Sequence, residues 1–231
     1  MYNEFLWRPV FNALVWLYTI LPWTDLGLAI IILTIVIRLV LTPLLIKGQR
    51  AQKELSLLQP EIRRIQEQYK NNKEAQSKAM MELYAQHKVN PFSGCLWMLV
   101  QLPVLITLFS VFQKGFDPVY LSELYGFVRS PGVLNPVSFG VLDLSKGNIY
   151  LGIIAALSQF LQTKMAAPPP KPVTNQSDFS VIFQKQALYI FPVLILVWSY
   201  TLPSALTLYW TALNFLGIVQ EIVVKKLEFR K

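Results

Sequence analysis

The sequence predicts an all-α, polytopic membrane protein with five transmembrane helices and a helical hairpin on its cytoplasmic side. Of its 231 residues, 54% are hydrophobic and only 15% are charged, against about 25% charged in soluble proteins. The apolar residues also gather in long runs, and about 20 such residues cross a bilayer as one helix. The runs predict span 1 at residues 27–46, span 2 at 91–113, span 3 at 149–165, span 4 at 187–202 and span 5 at 203–224.

The segments outside the spans are assigned by composition. Residues 1–26 repeat apolar and aromatic side chains at helical spacing, which is typical of an amphipathic helix in the membrane interface. Residues 47–90 are hydrophilic with two narrow apolar stripes, which predicts two antiparallel helices. This hairpin is either a solvated connector or a mobile element that contacts incoming chains. The remaining segments are predicted loops at 114–148 and 166–186 and a basic tail at 225–231.

The basic residues predict the orientation of the chain in a cell membrane. Cytoplasmic segments of membrane proteins carry an excess of Lys and Arg. Sixteen of these residues lie in the hairpin, in and beside the 166–186 loop and in the tail, whereas four lie in the N-terminal helix and the 114–148 loop. We therefore expect an external N-terminus and a cytoplasmic C-terminus. The basic flanks also predict affinity for anionic lipids and no specific nucleic-acid partner.

Arg38 lies inside span 1, about 12 Å of helix from the end of the span at Ile46. A charge at such a depth costs roughly 2.5–3.5 kcal/mol on insertion scales. Its side chain must therefore reach an interface, an acid or water inside the membrane. Glu221 is the only carboxylate within the other four spans, and its place near the end of span 5 suggests an interfacial residue. The sequence thus favours a hydrated intramembrane site for Arg38.

Polar side chains in four spans predict the walls of this site. Thr34, Arg38 and Thr42 share one face of span 1 because they are four residues apart. The other candidates are Gln101 in span 2, Gln159 and Gln162 in span 3, and Trp210, Thr211 and Asn214 in span 5. For a single Thr or Gln, a hydrogen bond between helices is the commoner explanation. That explanation does not account for the full charge of Arg38.

The sequence carries no signature of catalysis. It has no cluster of metal-ligand residues, no pairing of a nucleophile with a base and no glycine-rich phosphate loop, and His87 stands alone as a predicted surface residue. We therefore expect a protein that is not an enzyme and uses no cofactor or metal. Two further classes stay open on the residues alone, a conduit for small solutes or ions and a structural partner subunit of a membrane complex.

Three stretches of the chain resemble the YidC/Oxa-type membrane protein insertases. They are LGLAIIILTIVIRLVLTPLLIKGQ with LQPEIRRIQEQYK, then VNPFSGCLWMLVQLPVLITLF, then LPSALTLYWTALNFLGIVQ, at residues 26–49 with 58–70, 89–109 and 202–220. Together they extend over nearly the whole chain. Trp97 departs from the family pattern, in which proline is common there. The chain resembles a short form with the five-span core and no additional N-terminal span or large external domain.

The resemblance implies a hydrophilic groove that is open to the cytoplasm and the lipid and closed on the outer side. A positive groove residue, here Arg38, receives hydrophilic segments of nascent membrane proteins, whose helices then pass laterally into lipid. Gln159 or Gln162 and Trp210 line the same groove by position. The implied partners are nascent membrane proteins, with the Sec translocon and the ribosome as further ones.

Overall fold

The computed structural model describes residues 2–21, 25–90, 93–166 and 179–228. The predicted loop at 166–186 lies mostly outside these residues, as do positions 91–92 of span 2 and 229–231 of the tail. The backbone at Trp97 is helical, but its side chain is outside the described part. The described chain is mainly α-helical, as the sequence predicts.

Eight α-helices account for most of the described residues. They are α1 (Arg8–Ile20), α2 (Leu26–Leu57), α3 (Gln59–Gln68), α4 (Lys73–Gln86), α5 (Ser93–Lys114), α6 (Ile149–Ala166), α7 (Phe179–Thr201) and α8 (Ser204–Glu228). A π-helical segment, Asn3–Trp7, precedes α1, and a 3-10 helix spans Pro118–Glu123. Strands β1 (Val137–Ser138) and β2 (Leu142–Asp143) pair antiparallel, with Val137 opposite Asp143.

Two of these helices are long and apolar enough to cross a membrane by themselves. They are Leu26–Gly48 of α2, with a mean hydropathy of 2.7, and Ser204–Val224 of α8, with a mean hydropathy of 1.3. Gln186–Thr201 of α7 is apolar but shorter. Helices α5 and α6 occupy predicted spans 2 and 3 without meeting the same criterion in the described residues. The number of five spans therefore stays a prediction.

The chain forms two compact units, and the larger one comprises Met1–Leu39 with Val104–Lys231. Side chains from α1, α2, α5 and α8 build its core, with Phe11, Ile30, Leu108 and Tyr209 among the buried residues. Helix α6 packs closely against both α7 and α8. Gly152 permits the approach of α6 to α7, because a Cβ atom at this position would collide with the side chain of Ser199.

The loop between α5 and α6 is bound at both of its sides to helix ends of the larger unit. At one side the Asp25 carboxylate, just before α2, accepts hydrogen bonds from the Phe139 N–H (2.7 Å) and the Ser138 hydroxyl. At the other side the Asn148 N–H donates to the Ser199 carbonyl (2.9 Å), and the Ala205 N–H donates to the Leu144 carbonyl (3.0 Å). The α7–α8 reversal and the start of α2 are thereby tied to the same loop.

The smaller unit, Val40–Pro103, contains the predicted hairpin helices α3 and α4. Leu58, Ile62 and Leu83 form its small buried cluster. The expectation that His87 stands alone is wrong, because its Nε2 atom lies 3.6 Å from Oε2 of Glu61. Both side chains are exposed, and the end of α4 meets the start of α3 at this point. His87 is therefore a surface residue with a partner.

Candidate functional site

The Arg38 side chain is half-buried and is held by α8. Its Nη2 atom donates a 3.0 Å hydrogen bond to Oε1 of Gln220. Tyr209 and Glu221, two further residues of α8, contribute to the electrostatic environment of the guanidinium, Tyr209 the more strongly. The interpretation of Glu221 as an interfacial residue stays a prediction. The amide of Gln220 thus bonds the arginine, and Glu221 is the next residue of α8.

A cavity of about 260 Å³ lies between α2 and α8. Its lining is almost entirely apolar and consists of Ile31, Ile35, Leu208, Thr211, Ala212, Phe215 and Leu216. Ile31, Ile35 and Arg38 recur on one face of α2, and Leu216 and Gln220 are one turn apart on α8. The polar contact between Arg38 and Gln220 therefore follows the apolar cavity directly along the same pair of helices.

The predicted threonines are distributed over both units. Thr34 is buried, and its hydroxyl donates to the Ile30 carbonyl at 2.7 Å. Thr211 lines the cavity, and its hydroxyl donates to the Thr207 carbonyl at 2.8 Å. The two hydroxyls thus use their donors inside their own helices. Thr42, like Gln101, belongs to the smaller unit and is half-buried.

Asn214 and Gln162 lie where α6 packs against α8. The amide of Asn214 is buried and donates to the Ala155 carbonyl (3.3 Å) and the Ser158 hydroxyl (3.1 Å) of α6. Gln162 packs on Gly217, where an added Cβ atom would lie 2.9 Å from Nε2 of Gln162. These contacts join two helices, which is a common use of polar side chains in membranes. Gln162 therefore faces α8.

Gln159 and Trp210 complete the predicted set. The Gln159 amide donates to the Thr163 hydroxyl at 3.0 Å within α6 and is half-buried. Trp210 stacks on Trp198 of α7, with ring centroids 5.9 Å apart and planes inclined by 14°. The indole pair links α7 to α8 and leaves Trp210 half-buried.

The sequence interpretation missed Gln220 and Trp198, which contact Arg38 and Trp210, and it considered Glu221 as an interfacial residue. For Gln220 the available signal was its spacing, because it lies one turn after Leu216 on the same face of α8. The arrangement places a cation and a neutral hydrogen-bond acceptor beside an apolar cavity. Among the described residues, no group of three or more His, Cys, Asp or Glu side chains is placed to hold a metal ion.

The chain is similar to known proteins over most of its length. The family model described as "60Kd inner membrane protein" matches residues 16–231. A protein of Fusobacterium nucleatum described as "Membrane protein insertase YidC" is 36% identical over 202 residues, which is 87% of each chain. A relative with the same description from Francisella tularensis subsp. novicida is also 36% identical, but the match spans 32% of its length.

A solved structure agrees with these sequence relatives. It is described as "Active YidC insertase crystal structure with the first transmembrane domain resolved" and is similar with a TM-score of 0.58 and 28% sequence identity. The match covers 94% of the present chain and 46% of the solved one. The chain thus spans most of the Fusobacterium relative and less than half of the solved protein.

Proposed function

The chain belongs to the 60Kd inner membrane protein family of YidC membrane protein insertases, and we propose that it receives hydrophilic segments of nascent membrane proteins at Arg38. The family assignment makes it a non-enzymatic insertase of the membrane and replaces the two other classes that the sequence left open. The proposal concerns the mechanism: a positively charged groove from which the client helix passes laterally into lipid.

One observation supports this mechanism above the others, namely the half-buried guanidinium beside an apolar cavity. An arginine that served only to join helices needs no cavity next to it. A client tail with a carboxylate gains a charge-assisted hydrogen bond at Arg38, which offsets part of its desolvation. The apolar helix of the client gains roughly 25 cal/mol for each Å² that leaves water. Together the two contributions lower the barrier to passage of the tail.

The proposed groove uses the remaining candidate residues in two ways. Trp210 and Thr211 contact the client, since Trp210 is half-buried at the α7–α8 contact and Thr211 lines the cavity. Gln159 contributes a half-buried amide from α6. Asn214 and Gln162 hold α6 against α8 and thereby fix the wall of the groove.

The orientation and the further partners are also proposals. The basic residues support an external N-terminus and a cytoplasmic hairpin and C-terminus. In this orientation the hairpin helices α3 and α4 lie where nascent chains, the Sec translocon or the ribosome approach. The basic flanks bind anionic lipids at the same surface.

Site-specific crosslinking tests the proposed groove. A photo-crosslinking amino acid at Trp210 is expected to capture a ribosome-bound single-span client. Leu157 is the control, because it is exposed and lies on the face of α6 opposite Ala155, which contacts Asn214 of α8. Capture at both positions alike, or at neither in an active preparation, would contradict contact of the client with Trp210.

A further inference from the structure

We propose that Gln220 and Glu221 set the charge selectivity of the site: they hold the Arg38 guanidinium at rest, and a client carboxylate must displace them. The inference rests on the proposed function. It adds that Gln220 and Glu221 compete with the client carboxylate for Arg38. The two residues belong to the protein itself, so that the preference for acidic segments is adjustable without altering Arg38.

The geometry supplies the first step. The Gln220 amide oxygen accepts a hydrogen bond of 3.0 Å from Nη2 of Arg38. Glu221 is the next residue of α8 and contributes, after Tyr209, to the electrostatic environment of the guanidinium. A half-buried cation without acceptors is costly, so an unoccupied groove needs such partners. The bond also occupies the position directly after the apolar cavity on both helices. An incoming acidic residue that follows an apolar segment meets Arg38 at this point.

The chemistry of the acceptors supplies the second step. The amide of Gln220 is neutral, and a hydrogen bond from a guanidinium to a carboxylate is roughly twice as strong as a neutral one and can be bidentate. A client carboxylate therefore competes well against Gln220. Glu221 acts in the opposite direction, because its negative charge reduces the attraction of Arg38 for a second carboxylate. Gln220 thus provides a weak acceptor and Glu221 a negative charge. A client carboxylate can therefore replace Gln220 at Arg38.

Two isosteric substitutions test the inference because they change the charge in opposite directions. The full-length protein is reconstituted into phosphatidylethanolamine–phosphatidylglycerol vesicles with two single-span clients that differ only in one tail Asp or Asn. The readout is the ratio of protease-protected acidic to neutral client. Gln220→Glu is expected to lower this ratio about fivefold and Glu221→Gln to raise it by a similar factor, which corresponds to about 1 kcal/mol. The double variant, which exchanges the two side chains, is expected between Gln220→Glu and the wild type, because its carboxylate bonds Arg38 directly while the net charge of the pair is unchanged.

Two controls separate this inference from the proposed function. Gln186→Glu places the same charge at an exposed position of α7 and is expected to leave the ratio unchanged. Arg38→Gln is expected to abolish the preference for the acidic client. If Arg38→Gln keeps the preference, the proposed function is wrong.

The inference itself has its own contrary outcomes. If Arg38→Gln abolishes the preference while Gln220→Glu and Glu221→Gln leave the ratio unchanged or move it in the same direction, the inference is overturned and the proposed function stands. Should Gln220→Glu fail to accumulate in the membrane, Glu221→Gln decides alone. A raised ratio of acidic to neutral client in Glu221→Gln supports Glu221 as a competitor of the client carboxylate. An unchanged or lowered ratio refutes this role.

Discussion

At the scale of single residues, we expect the shape of the Arg38 cation to matter for client binding as well as its charge. A guanidinium donates from a planar fork that matches a carboxylate, whereas a lysine ammonium is a compact point charge. Arg38→Lys is therefore expected to insert acidic clients less well than the wild type but better than Arg38→Ala. Insertion of clients whose tails differ in charge measures this order. Equal activity of the lysine and alanine variants would show that the positive charge contributes nothing.

Asp25 provides a second prediction at this scale. Burial raises the pKa of its carboxyl group, but hydrogen bonds from Ser138, Phe139 and Leu28 outweigh burial, and the pKa lies below its usual value. The stabilisation is therefore present above the unfolded-state pKa of about 3.9 and is lost as the pH falls through the lower folded-state value. Asp25→Asn is expected to reduce the free energy of unfolding by about 1 kcal/mol near neutral pH.

Unfolding in detergent at several pH values tests the role of Asp25. The difference between the wild type and Asp25→Asn is expected to shrink below about pH 4, where the wild-type carboxyl group also becomes protonated. Asp117→Asn is the control in the same loop, because Asn serves as a helix N-cap as well as Asp does. A difference for Asp25→Asn that persists at low pH would show that the charge of the carboxylate is not responsible.

At the scale of elements, the close approach of α6 and α7 depends on Gly152. Gly152→Ala brings a methyl group into the side chain of Ser199, and such overpacking costs about 1–3 kcal/mol. Gly48→Ala is the matched control, because a Cβ atom there meets nothing within 4 Å. In a helix this second change is expected to stabilise by roughly 0.5–1 kcal/mol. Thermal unfolding in detergent compares the two variants.

A compensating substitution makes the helix-packing prediction specific. Ser199→Gly removes the group that the new methyl meets, so it is expected to recover part of the stability lost in Gly152→Ala. If the double variant is no more stable than Gly152→Ala, the contact with Ser199 is not the cause.

At the scale of the whole molecule, hydropathy predicts where the long apolar helices lie in the sequence. It does not predict which side chains of other helices contact them. The apolar runs locate α2 and α8 because crossing length is a one-dimensional property of the sequence. The partner of Arg38 is a three-dimensional property, since Gln220 is 182 positions away along the chain. Asn214 shows the same limit, because its spacing predicts a polar face without indicating that α6 occupies that face.

The orientation is the prediction that concerns the entire chain. With Cys95 replaced by Ala, single cysteines at Phe127 and Met81 report on the loop after α5 and on the hairpin, and both positions are well exposed. In intact cells a membrane-impermeant maleimide is expected to label position 127 and to reach position 81 only after permeabilisation. The physical reason is that basic segments are retained on the cytoplasmic side during insertion, and the hairpin is rich in them while the loop is not. The reverse labelling pattern would place the Arg38 site in the opposite orientation, where it could not receive chains from the cytoplasm.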